Sequence, residues 1–376
     1  MGLRAHLLQL ELLRRSQAAD GTVRSARAAY RRAAESTATR TAYAAIGRAR
    51  RAAETAAASW RAAWPADLLG RPPARAAAAA NALLEPCADD MADLLLAADV
   101  VLVSTSAGKD SLVQLHLLAK AADKLGVLHK LVCVHAHLGE AEWDGVADLA
   151  RRQAERYGVR FIQVAADEGF LGMVERRGKW PDAKRRLCTA FLKRQQCTPV
   201  IRQLVDELDL DRQAVVLNCM GIRAQESPAR AKKGKLVLDA RSSSGKRLVL
   251  TYHPVFDMTS TEIWWVIARA GLEYHEVYDA DLPRLSCIYC VLVGFELLVR
   301  AARICNALGI PVTARYVGLE EAIGHTFKHG LAIADVAAEA ARRDAAEGLL
   351  TWERGDAIRR HLGDAALAMW KSRQAS

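Results

Sequence analysis

Apolar residues in this chain gather into short unbroken runs, separated by longer stretches in which they recur at helical spacing. Val100 to Val103 is the first such run, and it stops abruptly at small and polar residues. Leu112, Leu115, Leu118 and Ala119 then follow at helical intervals, so the pattern predicts a buried strand, a tight loop and a helix. Runs at Leu131–His135, Val159–Val164 and Val215–Cys219 predict three more strands, and Arg247–Tyr252 a fifth. A helix ending near Tyr157 separates the second from the third. Strands alternating with helices argue for an α/β fold, a parallel sheet with helices on both faces. Such sheets bind ligands at the carboxyl ends of their strands, so the ends of the first, second and fourth strands are where a site is expected.

The first 70 residues carry almost no strand signal. They are rich in Ala, Leu and Arg, with Leu3, Leu7 and Leu10 at helical spacing and Tyr30, Tyr43, Trp60 and Trp64 as large anchors. Pro65 and Arg71-Pro72-Pro73 mark a linker, and two short helices, the second from Asp89 to Ala98, lead into the first strand. The expected divisions are a helical extension over 1–70, linker and helices over 71–98, a nucleotide-binding α/β domain over 99–280, and a helical C-terminal region over 281–376. Of the formal net charge of +10, residues 1–80 hold nearly all, 14 Arg against 5 Asp or Glu. A basic arm of that kind suits the phosphates of DNA or RNA, and equally a solvated Ala/Arg surface helix. No apolar stretch is long enough to span a bilayer, and no signal-peptide core opens the chain, so a cytoplasmic protein is expected. Eight irregularly spaced Cys then point to metal or thiol chemistry rather than disulfides.

Four stretches carry chemistry. Ser104-Thr105-Ser106-Ala107-Gly108-Lys109-Asp110-Ser111 joins the first strand to its helix. Small residues let an anion approach the backbone at a helix N-terminus, Lys109 adds positive charge, Asp110 a carboxylate suited to Mg²⁺, and Ser106 and Ser111 hydroxyls. The spacing is not that of a Walker A loop. Next, Lys184, Arg185, Arg186 and Lys193 surround Cys188 with cations that favour a thiolate and attract oxyanions. Past the fourth strand, Gly221-Ile222-Arg223-Ala224-Gln225-Glu226-Ser227-Pro228-Ala229-Arg230 offers two guanidinium forks, with Glu226 placed to orient one of them or a metal-bound water. Finally, Cys287-Ile288-Tyr289-Cys290 can present two sulfurs to one metal centre.

These stretches, in this order, resemble the phosphoadenosine phosphosulfate (PAPS) reductase and N-type ATP pyrophosphatase family, over about residues 95–330. The loop is similar to that family's S-G-G-K-D-S, with Ala107 where Gly is usual; a positive φ there would cost Ala about 1 kcal/mol. Trp180-Pro181-Asp182 through Lys193 resembles W-P-D-x-x-x-R-x-C-T-x-x-x-K, and Gly221 to Arg230 resembles G-x-R-x-x-E-S-x-x-R. His253-Pro254-Val255 with the helix around Trp264 looks like a structural "HPV…DVW" element. Tyr316 to Phe327 resembles the Y-V-x-L-E-x-x-x-G-H-T-F of phage and plasmid members, where His325 faces the site or serves in packing. His137 stands where the family commonly has Asp.

The resemblance implies an adenine nucleotide alpha hydrolase-like fold binding ATP with Mg²⁺. Ser104, Ser106, Ala107, Gly108, Ser111, His137, Lys193, Gly221 and Ser227 would line the nucleotide, and Lys109, Asp110, Arg223, Glu226 and Arg230 would act on it. Cys188, Cys287 and Cys290 match thiols that hold an iron–sulfur cluster in related proteins. The fourth ligand is open, since helical spacing puts Cys197 and Cys305 ~13 and ~20 Å away and leaves His275. A [4Fe–4S] cluster, a zinc site and a bare thiol pair therefore all stand. Cys87, Cys133, Cys219 and Cys305 read as core residues. Three functions follow: an ATP pyrophosphatase that adenylates a substrate for sulfur transfer, served by a sulfur-donor protein; a PAPS or adenosine phosphosulfate reductase, though no Cys follows Cys305 to act as its nucleophile; and a non-catalytic nucleotide-binding module.

Overall fold

A computed structural model of the chain describes residues 91–374. The expected helical extension over 1–70, its nucleic-acid contact, Cys87 and most of the linker lie outside the described residues. The first described helix is α1 (Met91–Ala97), followed by β1 (Val100–Thr105), α2 (Lys109–Lys124), β2 (Leu131–His137), α3 (Val146–Glu155), β3 (Arg160–Ala165) and α4 (Gly169–Arg177). A π-helical turn, Thr189–Arg194, runs into α5 (Gln195–Asp206). Then come β4 (Ala214–Met220), the single turn α6 (Pro228–Ala231), β5 (Leu236–Leu238), β6 (Arg247–Tyr252) and α7 (Ser260–Ala270). The C-terminal region is helical: α8 (Phe295–Leu308), α9 (Val312–Ile323), α10 (Ile333–Glu347), α11 (Asp356–Leu362) and α12 (Asp364–Gln374). Among the described residues no helix is long and apolar enough to cross a membrane.

The strands form one mostly parallel sheet in the order β3-β2-β1-β4-β6-β5. β1, β2 and β4 are buried along almost their whole length, which is why each reads as a continuous apolar run. β3, at the edge, alternates and is partly exposed. β5 went unread in the sequence because it has three residues in a lysine-rich stretch, and it pairs antiparallel with β6, where a parallel sheet was expected. The other five strands fall where the apolar runs put them. Strand order turns both ways from β1, so the loop after β1 stands where open α/β sheets take their ligands.

The chain packs as two compact units that interleave in sequence. Among the described residues, one takes Met91–Val103, Gln114–Val132 and Gln203–Phe256. The other takes Ser104–Val113, Cys133–Arg202 and Asp257–Ser376. The second unit has an aromatic core in which Trp180 stacks on Tyr316 at 5.3 Å and meets Phe327 edge-on at 5.2 Å. Trp180 also donates its indole N–H to the His325 carbonyl, and the buried Glu320 carboxylate accepts from the Phe327 and Ile333 N–H groups. The Tyr316–Phe327 motif is thus a packing device for Trp180, and the His325 side chain is exposed. α7 opens on a capping box, Thr259 with Glu262, and buries Trp264 edge-on to Tyr274 and Tyr278.

Candidate functional site

The loop after β1 belongs to the second unit, and its shape is fixed by its own hydroxyls. Ala107 N–H donates to Thr105 Oγ1 (3.1 Å), Ser106 N–H to Ser111 Oγ (3.3 Å), and the Ser111 hydroxyl to the Gly108 carbonyl (2.9 Å). Ser111 therefore braces the loop from inside, a use the sequence did not disclose. Ala107 sits at φ 55° with its side chain wholly buried, so the strain expected for a non-glycine residue is present. Gly108 has no room for more: a Cβ there would lie 3.3 Å from both Ser106 Oγ and Tyr278 Oη.

Tyr278 anchors the loop. Its hydroxyl accepts from the backbone N–H groups of Lys109 (2.9 Å) and Leu285 (3.0 Å). The Lys109 ammonium is buried, donating to Asp110 Oδ2 and the Pro283 carbonyl at 3.2 Å each, 5.7 Å from the Tyr278 ring centre. The segment around Pro283–Leu285, just before the Cys pair, is thus a strap held to the loop. Sequence reasoning missed Tyr278, Pro283 and Leu285. Its one available signal was their position directly before the Cys pair.

β2 places His135 and His137 on one face, because side chains two residues apart along a strand point the same way. The chain then turns through Gly139, at φ 70°, into a 3₁₀ turn that brings Glu142 back to both. Glu142 Oε2 lies 2.6 Å from His137 Nδ1 and 3.2 Å from His135 Nε2, while His135 Nδ1 meets the Thr105 carbonyl at 3.2 Å. Burial works to raise the Glu142 pKa, but the two imidazoles outweigh it and hold the carboxyl below its ordinary value. His137, expected beside the nucleotide, is bonded to a carboxylate that sequence reasoning did not single out.

Cys188 opens the π-helical turn, and Asp182 holds the residues before it by accepting the Lys184 and Arg185 N–H groups. Cys188, Cys287 and Cys290 all pack half-buried against the unit's apolar core. Cys287 is tied to the 3₁₀ turn through the next residue, whose N–H donates to the Ala141 carbonyl at 2.9 Å. Burial first, then the neighbouring Cys290, pushes the Cys287 thiol up to about 12, and Lys193 opposes them. A thiol held neutral this way fits a centre whose metal supplies the missing positive charge. The three sulfurs are not a single-ion site as they stand: the one group of three ligand atoms within 4.8 Å among the described residues is His135, His137 and Glu142. His275 does not serve as the fourth ligand, because one ring nitrogen faces the Asp144 carbonyl and the other accepts the Val277 N–H. Cys133, Cys219 and Cys305 are fully buried, as expected of core residues.

Gly221 to Arg230 belongs to the first unit and is held by its own side chains. Arg223 is buried; its N–H donates to Glu226 Oε2 (2.9 Å) and its guanidinium to Gln225 Oε1 (2.9 Å). Glu226 also pairs with Arg230, and Ser227 caps α6 through the Arg230 N–H. The guanidinium forks read as open in the sequence are thus engaged close by, and Glu226 orients Arg230. His253 is likewise structural, its Nδ1 bonded to the Gly234 carbonyl and its pKa lowered chiefly by burial.

Residues 100–292 match the phosphoadenosine phosphosulfate reductase domain family. An uncharacterised 37.8 kDa protein of Escherichia phage 186 is 26% identical over 145 residues, 38% of this chain and 41% of that protein. The chain therefore spans about two fifths of that relative's length. An adenosine 5'-phosphosulfate reductase of Shouchella clausii is 27% identical over 185 residues, 49% of this chain and 68% of that enzyme. Among solved structures, a PAPS reductase of Candida auris is 15% identical with a TM-score of 0.38, covering 56% of this chain and 94% of its own. With the match running from the first residue of β1 to just past the Cys pair, over half the chain, this protein belongs to the PAPS reductase family and carries its nucleotide-binding domain.

Proposed function

We propose that the protein is an ATP pyrophosphatase-type enzyme that adenylates a substrate for sulfur transfer. A substrate oxygen attacks the α-phosphorus of ATP, the α–β anhydride bond breaks, pyrophosphate leaves and the acceptor carries AMP. A sulfur nucleophile from a donor protein then displaces AMP. The observation that carries this reading is the loop: a buried lysine ammonium beside a carboxylate, at the N-terminus of a helix leaving the central strand. In it Lys109 stabilises the leaving pyrophosphate, Asp110 holds Mg²⁺, and Arg223 and Arg230 neutralise phosphate charge, Arg230 once Glu226 yields it. The nucleotide occupies residues 99–280, and 281–376 brings the Cys pair. Cys188, Cys287 and Cys290 are the thiols offered to a [4Fe–4S] cluster, which when bound would supply sulfur or electron-transfer chemistry. A nucleic acid, met by the basic extension, is the acceptor class proposed.

The test is pyrophosphate release from Mg·ATP with and without added tRNA or DNA. Lys109→Ala and Asp110→Asn should each lower it about 100-fold or more. A second reading, reduction of adenosine phosphosulfate or PAPS, is favoured by the named Shouchella relative. Sulfite production without pyrophosphate release would replace the first reading with it. Nucleotide binding without either product would leave a binding module.

A further inference from the structure

We infer that His135, His137 and Glu142 form a binding site for a first-row divalent cation of the Zn²⁺ type, with its open coordination positions facing the adjoining cleft. The triad adjoins the Cys centre, since the Glu142 carboxylate is among the charges that act on Cys287, but it shares no ligand with the three thiols and does not depend on the adenylation reading.

The Thr105 carbonyl can only accept, so His135 Nδ1 carries a proton, and in a neutral ring the Nε2 lone pair then points at Glu142 Oε2, 3.2 Å away. That lone pair and the carboxylate beside it are what a cation takes, and a ring N–H given to a backbone carbonyl is how metal-binding histidines are usually oriented. His137 Nδ1 converges on the same carboxylate oxygen at 2.6 Å, so three donor atoms surround one point.

Geometry and chemistry agree with this. Tetrahedral bonds of zinc to nitrogen and oxygen put neighbouring ligand atoms about 3.4 Å apart. The His135 pair is already close to that, and the His137 pair has to open by less than ~1 Å. His137, at the exposed end of β2 with its side chain 34% accessible, has freedom to do so. Two imidazoles and one carboxylate suit Zn²⁺, Fe²⁺ and their neighbours over Mg²⁺. A cleft of about 350 Å³ adjoins the triad, lined by His137, Glu142, Trp143 and the acidic Glu140, Asp144 and Asp148. Arg315 and Arg151 pair with Glu140 and Asp148, so the cleft's charge is partly neutralised without closing it.

The experiment uses the full chain stripped of metal by chelation and titrated with Co²⁺ and then Zn²⁺, followed by calorimetry and the cobalt visible spectrum. One equivalent of Co²⁺ should bind at micromolar or tighter Kd, give d–d bands without thiolate charge transfer, and be displaced by Zn²⁺. Glu142→Gln and His137→Ala should each weaken it at least about 100-fold. The double variant Cys287→Ser, Cys290→Ser should keep the band. His137→Ala removes a half-exposed ring, so an unchanged melting curve in that variant shows that the loss is not unfolding. Failure to bind cobalt at stoichiometric concentration would overturn the site and leave the triad as a hydrogen-bonded brace. So would a cobalt spectrum with thiolate character that the Cys double variant abolishes.

Discussion

The loop at the end of β1 and the arginine segment at the end of β4 are both written in the sequence as anion-binding stretches, yet they are built in opposite ways. The loop, shaped by its own hydroxyls, is in addition anchored far along the chain: Lys109 N–H bonds Tyr278, 169 residues on, and Lys109 Nζ the Pro283 carbonyl, 174 on. In the segment the charged side chains meet close neighbours, Arg223 with Gln225 and Glu226, and Glu226 with Arg230, while the backbone has one distant tie, Ala224 N–H to the Phe256 carbonyl. A lysine held by tertiary partners is pre-positioned, and it stays so only while its unit stays packed. Arg230, held by the Glu226 carboxylate with the two side chains 28% and 17% exposed, would cost little to release to a phosphate. On the proposed reading, the loop would be organised before the nucleotide binds and Arg230 would be released by it.

If the loop depends on the packing of its unit, alkaline pH should loosen it most. Burial pushes the thiols of Cys133 and Cys305, both fully buried in that unit, up to about 12. An unfolded thiol gives up its proton near 9, so between 9 and 12 the folded state binds more protons and stability falls as pH rises. The loss should reach several kcal/mol on the order-of-magnitude scale of such shifts. Thermal unfolding followed from pH 8 to 11 should show a falling midpoint above 9, and a flat profile would remove this dependence.

Tyr278→Phe attacks the same dependence at one atom. Two buried N–H groups, of Lys109 and Leu285, lose their acceptor. The expected cost is about 1–3 kcal/mol in denaturant unfolding, with weaker nucleotide binding alongside. A loss below about 0.5 kcal/mol would show that the strap, and not the tyrosine, holds the loop.

The difference between the two regions also explains what could be read in advance. Five of six strands were legible because burial writes itself into apolar runs; β5, three residues long, wrote nothing. Within the candidate site, Ser227, expected to line the nucleotide, instead caps the single turn that Pro228 opens. Tyr278 was not visible as the loop's anchor, since nothing in the local pattern tells which of many tyrosines will meet a backbone N–H in the fold. Glu142 was hidden for a related reason: its meeting with His135 needs both the strand's two-residue period and the positive φ of Gly139. Of the two roles the motif left open for His325, the structure takes packing, through the backbone carbonyl and not the ring.

Glu226→Gln probes the locally held region. The pair with Arg230 is partly exposed, so stability should fall by no more than about 1 kcal/mol. If ligand binding is what organises the segment, loss of its resting partner frees Arg230 and nucleotide affinity should rise severalfold in calorimetry. A drop in affinity with a loss of several kcal/mol in stability would mean that the segment is as rigidly pre-built as the loop, and the contrast would fail.

The smallest effect belongs to Ala107, where two terms nearly cancel. Its φ of 55° strains an L-residue by about 1 kcal/mol, and Ala107→Gly relieves that. The same change removes a fully buried methyl group worth roughly 0.8 kcal/mol and gives the unfolded chain more freedom, by about 0.4–1 kcal/mol. The net change should lie within about 1 kcal/mol of zero, on the destabilising side. Ala107→Val has no such compensation: a β-branched side chain at positive φ, packed against a filled core, should cost about 1–3 kcal/mol. Denaturant unfolding of the two variants side by side separates strain from packing. If glycine instead stabilised by much more than its relieved strain, the loop's shape would owe more to its own backbone than to Tyr278 and the strap.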